Sequence, residues 1–269
     1  MTTQKLPFFS PHLKLVQYQD IPVLVLEHSV GSAKISLQGG QLLSWKPANA
    51  KQDLLWLSEV EPFKLGNAIR GGVPICYPWF GKVKEPAHGT ARLRLWELSG
   101  QDISDEAVLI ELALLNEKQQ MEAKIQFHFT TSCEIRFTHY GETPAQVALH
   151  SYFNVSNIAD IWVENLPTEC FNSLTQQTDN VESPRKVFEH VDCIYQAEYP
   201  IQTIVDPGFK RSIDIVHNNA SEIVFWNPWH TTTSGMSNTG YQTMLCVETA
   251  RLSRLLAQGE SIAVRIIEK

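Results

Sequence analysis

With 269 residues, 43% of them hydrophobic and 19% charged, the chain has the composition of a soluble globular protein large enough to bury a substantial core. Its 22 Lys and Arg against 29 Asp and Glu give a net charge of −7, which argues against non-specific nucleic-acid binding or attachment to an anionic membrane, where a basic surface is the usual footprint. A small anionic ligand is not excluded, because a pair of local arginines can override the net charge.

In chain order, the first unusual stretch is Ile69-Arg-Gly-Gly-Val-Pro-Ile-Cys-Tyr-Pro-Trp-Phe-Gly81. Arg70 precedes two glycines, which tolerate positive φ and let backbone approach a ligand closely. An arginine beside such a turn suits a bidentate grip on carboxylate or phosphate. Taken alone, an Arg-Gly-Gly turn is more often structural, and the P-loop pattern is absent. His88-Gly-Thr-Ala-Arg92 follows, with Trp96 beyond it. Arg92 by itself reads as a surface or ion-pairing residue.

From there period-2 alternation dominates. Val108–Leu112, Lys124–Thr130, Glu134–Thr138, Ser212–Ile215 and Ile262–Ile266 each alternate apolar and polar residues over a few positions, most with turn-forming residues nearby. This is the signature of half-buried antiparallel strands. His128 falls on the polar side of its strand, and His139 sits at a strand end and receives no role. Gln146–Asn154 is apolar enough to be a buried strand and carries His150, which must find a partner or lose proton affinity by desolvation. Asp192 can support an imidazolium, bind a hydroxyl or end a turn. Asp206–Arg211 and Trp226–Trp229 are further concentrations of Gly, Pro and aromatics. Met244–Ala250 places Glu248 at the end of an apolar strand, where burial would raise its pKa, although a structural salt bridge is the plainer reading. Thr249–Gln258 is read as a turn or two of helix capped by Gly259.

Many short strands with little helix between them predict an all-β, antiparallel β-sandwich, with residues 1–269 as one domain. The five cysteines form no CxxC pair and read as reduced, buried thiols, with neither a disulfide framework nor a structural zinc site. Met1–Pro11 lacks a signal-peptide core and no window suggests a membrane span, so the expected location is cytoplasmic. Metalloprotease, serine-hydrolase and EF-hand patterns are absent. A strand-borne histidine and carboxylate, with arginines and aromatics in loops, suit proton transfer on a polar small molecule.

Taken together, Arg70–Gly81, His88–Arg92, Ala148–Val155, Asp206–Arg211, Trp226–Trp229 and Cys246–Ala250 resemble the hexose-6-phosphate mutarotase (glucose-6-phosphate 1-epimerase) branch of the aldose 1-epimerase family, in order and over most of the chain. The resemblance implies a galactose-mutarotase-like β-supersandwich that interconverts the α and β anomers of an aldohexose 6-phosphate without metal or nucleotide cofactor. It implies His150 as general acid and Glu248 as general base, with Arg70 and Arg92 holding the phosphate, Asp192 binding substrate and His88 lining the pocket. Asp192 would favour the charged imidazole that an acid requires. Trp79, Phe80 or Tyr152 could stack on the sugar. Ala87 stands where the family usually has glutamine, Cys193 where arginine is common, and Gly235–Gly240 replaces a more acidic run. The expected partner is a small sugar phosphate, with no nucleic acid and no membrane, and the chain a monomer or weak homo-oligomer. The rival readings are a mutarotase for neutral aldoses and a non-catalytic sugar-phosphate-binding module on the same fold.

Overall fold

The computed structural model describes residues 10–269, so most of the Met1–Pro11 segment read for a targeting signal lies outside the described residues. Within them the regular structure is strand throughout, apart from two single-turn 3-10 segments at Ala91–Leu93 and Gly240–Thr243. No helix there is long and apolar enough to cross a membrane.

The alternation seen in the sequence becomes alternating burial. Along Met121–Phe129 the side chains of Ala123, Ile125, Phe127 and Phe129 are buried, and Cys133, Ile135 and Phe137 repeat the pattern along Cys133–His139. Three antiparallel sheets result. Leu13–Tyr18, Ile21–His28, Gly31–Ser36 and Gln41–Pro47 form a four-stranded meander. One eight-stranded sheet runs Trp162–Glu164, Ile201–Asp206, Arg211–Asn218, Ser261–Glu268, Cys133–His139, Met121–Phe129, Val108–Leu115, Glu97–Ile103. The other runs Gln177–Asn180, Glu169–Asn172, Val191–Gln196, Glu222–Asn227, Met244–Leu256, Ala145–Leu149, Ile75–Cys76, with Tyr152–Asn154 also paired to Met244–Leu256. A shared hydrophobic core draws side chains from all three. Trp45 of the meander packs on Phe129 with ring centroids 4.8 Å apart, and Tyr77 packs on Phe137 at 5.0 Å.

Two local expectations are corrected here. Thr249–Gln258 is not helical: a single 13-residue strand runs from Met244 to Leu256. Its spacing looks helical because the ladder to Ala145–Leu149 is interrupted, pairing Arg251 with Val147 but Leu256 with Ala145. The buried Arg251 guanidinium fills that irregularity, donating to Leu255 O (3.0 Å) and Asn219 O (3.2 Å) and pairing with Glu260 (3.3 Å). Gly259 instead takes φ +84° in the following turn. The second correction concerns His150, which lies in a two-residue break between the Ala145–Leu149 and Tyr152–Asn154 strands.

Some of the conspicuous motifs hold the sandwich together. Asp206 accepts from Ser156 N (2.9 Å) and Phe209 N (3.1 Å), and Arg211 Nη2 donates to Asn154 O (2.6 Å). Asn227 Nδ2 donates to Tyr241 O and Met244 O, both 2.9 Å, closing the long loop between their strands. His139 is buried between Tyr77 Oη (2.8 Å) and Thr143 O (3.0 Å), a structural position that matches its lack of role. All five cysteines are free and buried.

Candidate active site

The break at His150 and Ser151 leaves the ladder register unchanged. Ala148 faces Ala250 and Leu149 faces Thr249 on one side, and Tyr152 faces Cys246 on the other. His150 therefore stands opposite Glu248, and facing residues of an antiparallel pair project to the same side. The His150 backbone, released from the ladder, donates to Pro74 O at 2.9 Å. Its Nε2 lies 3.3 Å from Glu248 Oε1, with both side chains buried. The same sheet face carries the row Asp192, Trp226, Cys246, Tyr152, each paired with the next across its ladder. Val247 and Thr249 point the other way, Val247 into the main core.

This face floors a cavity of about 760 Å³ lined by Arg70, Phe80, His88, His150, Asp192, Trp226 and Glu248, among others. An adjoining cavity of about 650 Å³ is lined by Arg70, Arg92, His150, Tyr152 and Ser234. Arg70, His150 and Ser234 line both. Of the residues singled out in the sequence, Arg70, His88, Asp192, His150 and Glu248 meet in the first cavity. Arg92 faces the second and reaches the site beside Arg70. Arg92 Nη2 donates to Ala87 O (2.6 Å), while its buried Nε has no hydrogen-bond partner.

The glycines after Arg70 follow the structural reading of the Arg-Gly-Gly turn. A Cβ on Gly71 would lie 2.5 Å from Trp56 O, and one on Gly72 would lie 2.1 Å from Leu42 O. What they admit is the protein's own backbone, crossing two neighbouring segments so that Arg70 projects over His150. Arg70 Nη1 donates to Tyr152 Oη (2.9 Å) and Nε donates to Ser234 O (3.0 Å). Tyr152 in turn lies flat on His150, with ring centroids 4.7 Å apart and planes 6° from parallel. Tyr152, a candidate sugar platform in the sequence, stacks on both His150 and Trp56. Its position two residues beyond His150 carries no signal for that. Phe80 does line the first cavity, whereas Trp79 turns aside to donate to Pro86 O (2.9 Å).

Electrostatics corrects a further expectation. Burial first, then the neighbouring His88 and the positive charges of Arg70 and Arg92, pushes the His150 imidazole well below its ordinary pKa. Burial first, then Asp192, pushes the Glu248 carboxyl well above its own. The charge of Asp192 bears on Glu248. The His150 and Glu248 shifts both run against a full ion pair between them. His88 is lowered to about 4 by burial and the nearby Arg92, Arg70 and Lys82, so it is a neutral hydrogen-bonding group at neutral pH. The Asp192 carboxyl is also raised by burial, against a hydrogen bond from Ser173. Cys193, the departure beside it, turns its thiol into the core and leaves the cavity lining unaffected.

The aldose 1-epimerase family pattern matches residues 22–267. The chain belongs to the aldose 1-epimerase family. A Haemophilus influenzae relative named "Putative glucose-6-phosphate 1-epimerase" is 56% identical over 267 residues, covering 99% of this chain and 98% of the relative. A crystal structure 60% identical in sequence, covering the whole of both chains, superposes with a TM-score of 0.97. The Salmonella typhimurium mutarotase-type protein YeaD is 31% identical, covers 98% of this chain and 95% of its own, and has a TM-score of 0.91. The architecture is that of the galactose-mutarotase-like proteins, as expected for a member of this family.

Proposed function

We propose that this aldose 1-epimerase family member is a hexose-6-phosphate mutarotase acting in the cytoplasm, with glucose 6-phosphate the first substrate to test. The observation that carries the reading is the His150–Glu248 pair, buried and 3.3 Å apart, with Arg70 lining both adjoining cavities and Arg92 the second. Opening a cyclic hemiacetal requires a proton removed from the anomeric hydroxyl and a proton delivered to the ring oxygen. The free aldehyde then turns about its C1–C2 bond and the ring recloses on its other face. A pair that shares one proton can remove one and deliver one, and its titration belongs to the pair as a whole. Acid–base help of this kind is worth about 10²–10⁴-fold.

In this reading Glu248 is the base and His150 the acid, and the substrate helps to set those roles. A phosphate dianion between Arg70 and Arg92 neutralises the positive field that lowers the His150 pKa. The proton then moves from the carboxyl side of the pair to the imidazole as substrate arrives. Asp192 and His88 supply hydrogen bonds to sugar hydroxyls. Against the neutral-aldose reading stand the two arginines; against a pure binding module stands the retention of both members of the pair.

The test follows freshly dissolved α-glucose 6-phosphate and α-glucose by NMR. Wild type is expected to accelerate anomer exchange of the phosphate far more than of the neutral sugar. Arg70→Ala should lose about 10–100-fold in kcat/KM on the phosphate only, the worth of a charged hydrogen bond of about 1.5–3 kcal/mol. No acceleration by wild type would overturn the enzyme reading, and equal acceleration of both sugars would overturn the phosphate preference.

Tyr152→Phe separates the two contacts of that ring. The stack on His150 survives while the Arg70 bond is lost. KM for the sugar phosphate should rise about 2–10-fold, a neutral-scale hydrogen-bond loss, with kcat held near wild type. Tyr152→Leu, which removes the stack as well, should lower kcat. Steady-state kinetics on both variants checks the split.

A further inference from the structure

A third donor stands beside the His150–Glu248 pair. Cys246 is two residues from Glu248 along the same strand, so both side chains lie on the same sheet face, Cys246 packed among Trp56, Tyr152 and Met244. One ligand atom from each of His150, Cys246 and Glu248 lies within 4.8 Å of the other two, and all three residues are buried. The proposed acid–base chemistry leaves this thiol unused. It also leaves Glu248 Oε2 buried with no hydrogen-bond partner, in a side chain only 1% exposed. An imidazole nitrogen, a thiolate sulfur and a carboxylate oxygen form a donor set suited to a borderline-soft divalent ion.

The spacing fits such an ion. Two donors held about 2.0–2.1 Å from a tetrahedral zinc ion are themselves about 3.3 Å apart. His150 Nε2 and Glu248 Oε1 already stand at 3.3 Å. A sulfur at about 2.3 Å from the same ion would lie roughly 3.5 Å from each of them, inside the 4.8 Å within which the three donors already stand, so a modest closing of the group completes the set. The cavity above supplies water for the fourth position. The thiol proton and the proton held by the His150–Glu248 pair are both released to bulk solvent as the metal–ligand bonds form.

We propose that the floor of the site is a binding site for a zinc-class divalent cation, held by His150 Nε2, Cys246 Sγ and the Glu248 carboxylate, and that the ion inhibits the enzyme reversibly by occupying both members of the proton-transferring pair. The binding stands independently of the sugar-phosphate reading; only the inhibition rests on it.

Cobalt(II), a spectroscopic stand-in for zinc, is titrated into the full-length protein. The expected result is a near-ultraviolet thiolate-to-cobalt charge-transfer band that saturates at one equivalent, with intense visible bands of four-coordinate cobalt, both displaced by zinc. Cys246→Ser should abolish the charge-transfer band and weaken zinc binding at least tenfold. Glu248→Gln, which keeps the thiol, should retain the band but lose affinity, so the assignment does not depend on the fold tolerating a single variant. Anomer exchange by wild type should fall with zinc and return with a chelator. Absence of the thiolate band at one equivalent, or its persistence in Cys246→Ser, would overturn the site. A wild-type enzyme that binds zinc through Cys246 yet keeps its full rate would overturn the inhibition and leave the sugar-phosphate reading untouched. If no anomer exchange is seen even without metal, that reading fails and the spectroscopic titration alone decides the site.

Discussion

Replacing Glu248 with glutamine should lower kcat/KM for anomer exchange by about 10²–10⁴-fold and leave the protein folded. The amide keeps the size of the side chain and can still bond the His150 ring, so the change isolates the ability to take a proton. Folding should tolerate it because burial and Asp192 already hold the carboxyl well above its ordinary pKa, toward the neutral form that the amide resembles. Much of the cost seen when an ordinary buried charge loses its partner is therefore absent. His150→Gln should show a loss of similar size, and the double variant should be little worse than either, because two groups passing one proton act as a unit. Rates for both anomers of the sugar phosphate, with thermal melts as a check on folding, decide the matter. A Glu248→Gln protein that keeps its full rate would remove the carboxylate from the chemistry.

A large loss of stability should follow Gly72→Ala. Gly72 has φ +61°, and its new methyl would lie 2.1 Å from Leu42 O and 2.8 Å from Leu43 Cα. None of these atoms can yield cheaply. Gly72 N donates to Trp56 O (2.7 Å), Gly72 O accepts from Tyr152 N (2.8 Å), and Val73 N donates to Leu42 O (2.7 Å). The methyl adds an overpacking cost of about 1–3 kcal/mol to a left-handed backbone cost of about 1–2 kcal/mol. The expected loss is thus roughly 2–5 kcal/mol. Gly66→Ala is the matched control. Its φ is +80° but nothing lies within 4 Å of the added Cβ, so only the backbone cost should appear. Urea unfolding of the two variants separates the contributions. Equal midpoints would mean that close approach at Gly72 matters no more than its dihedral angle.

The strands were readable wherever one face meets the core and the other meets solvent, because that asymmetry writes itself into every second residue. Lys124–Thr130 and Glu134–Thr138 are of that kind, and they fold as expected. Met244–Ala250 is covered on both faces, which erases the alternation and allowed the following segment to be mistaken for helix. For the site, His150 and Glu248 stood out as polar residues in apolar runs. Their proximity did not, since it depends on ladder register between segments far apart in the chain. Nor could the sequence show that Asp192 bears on the carboxylate, because that is a matter of distances across the sheet. The Arg-Gly-Gly turn was legible as special, but its special need is for neighbouring backbone. Cys246 gave no signal at all, being one more small residue in a buried strand.

The uninterrupted register across the break at His150 and Ser151 also bears on the order in which the protein is made. His150 and Glu248 are neighbours only after strands from the second and final thirds of the chain have found each other, which is the sort of distant pairing that makes β-sandwiches slow to fold. During synthesis the histidine leaves the ribosome well before its partner exists. The chain emerges without a functional centre and acquires one at a stroke when the last long strand slots into place. Anomer exchange, if measured through refolding, would then be a clock for that final docking rather than for the collapse that precedes it.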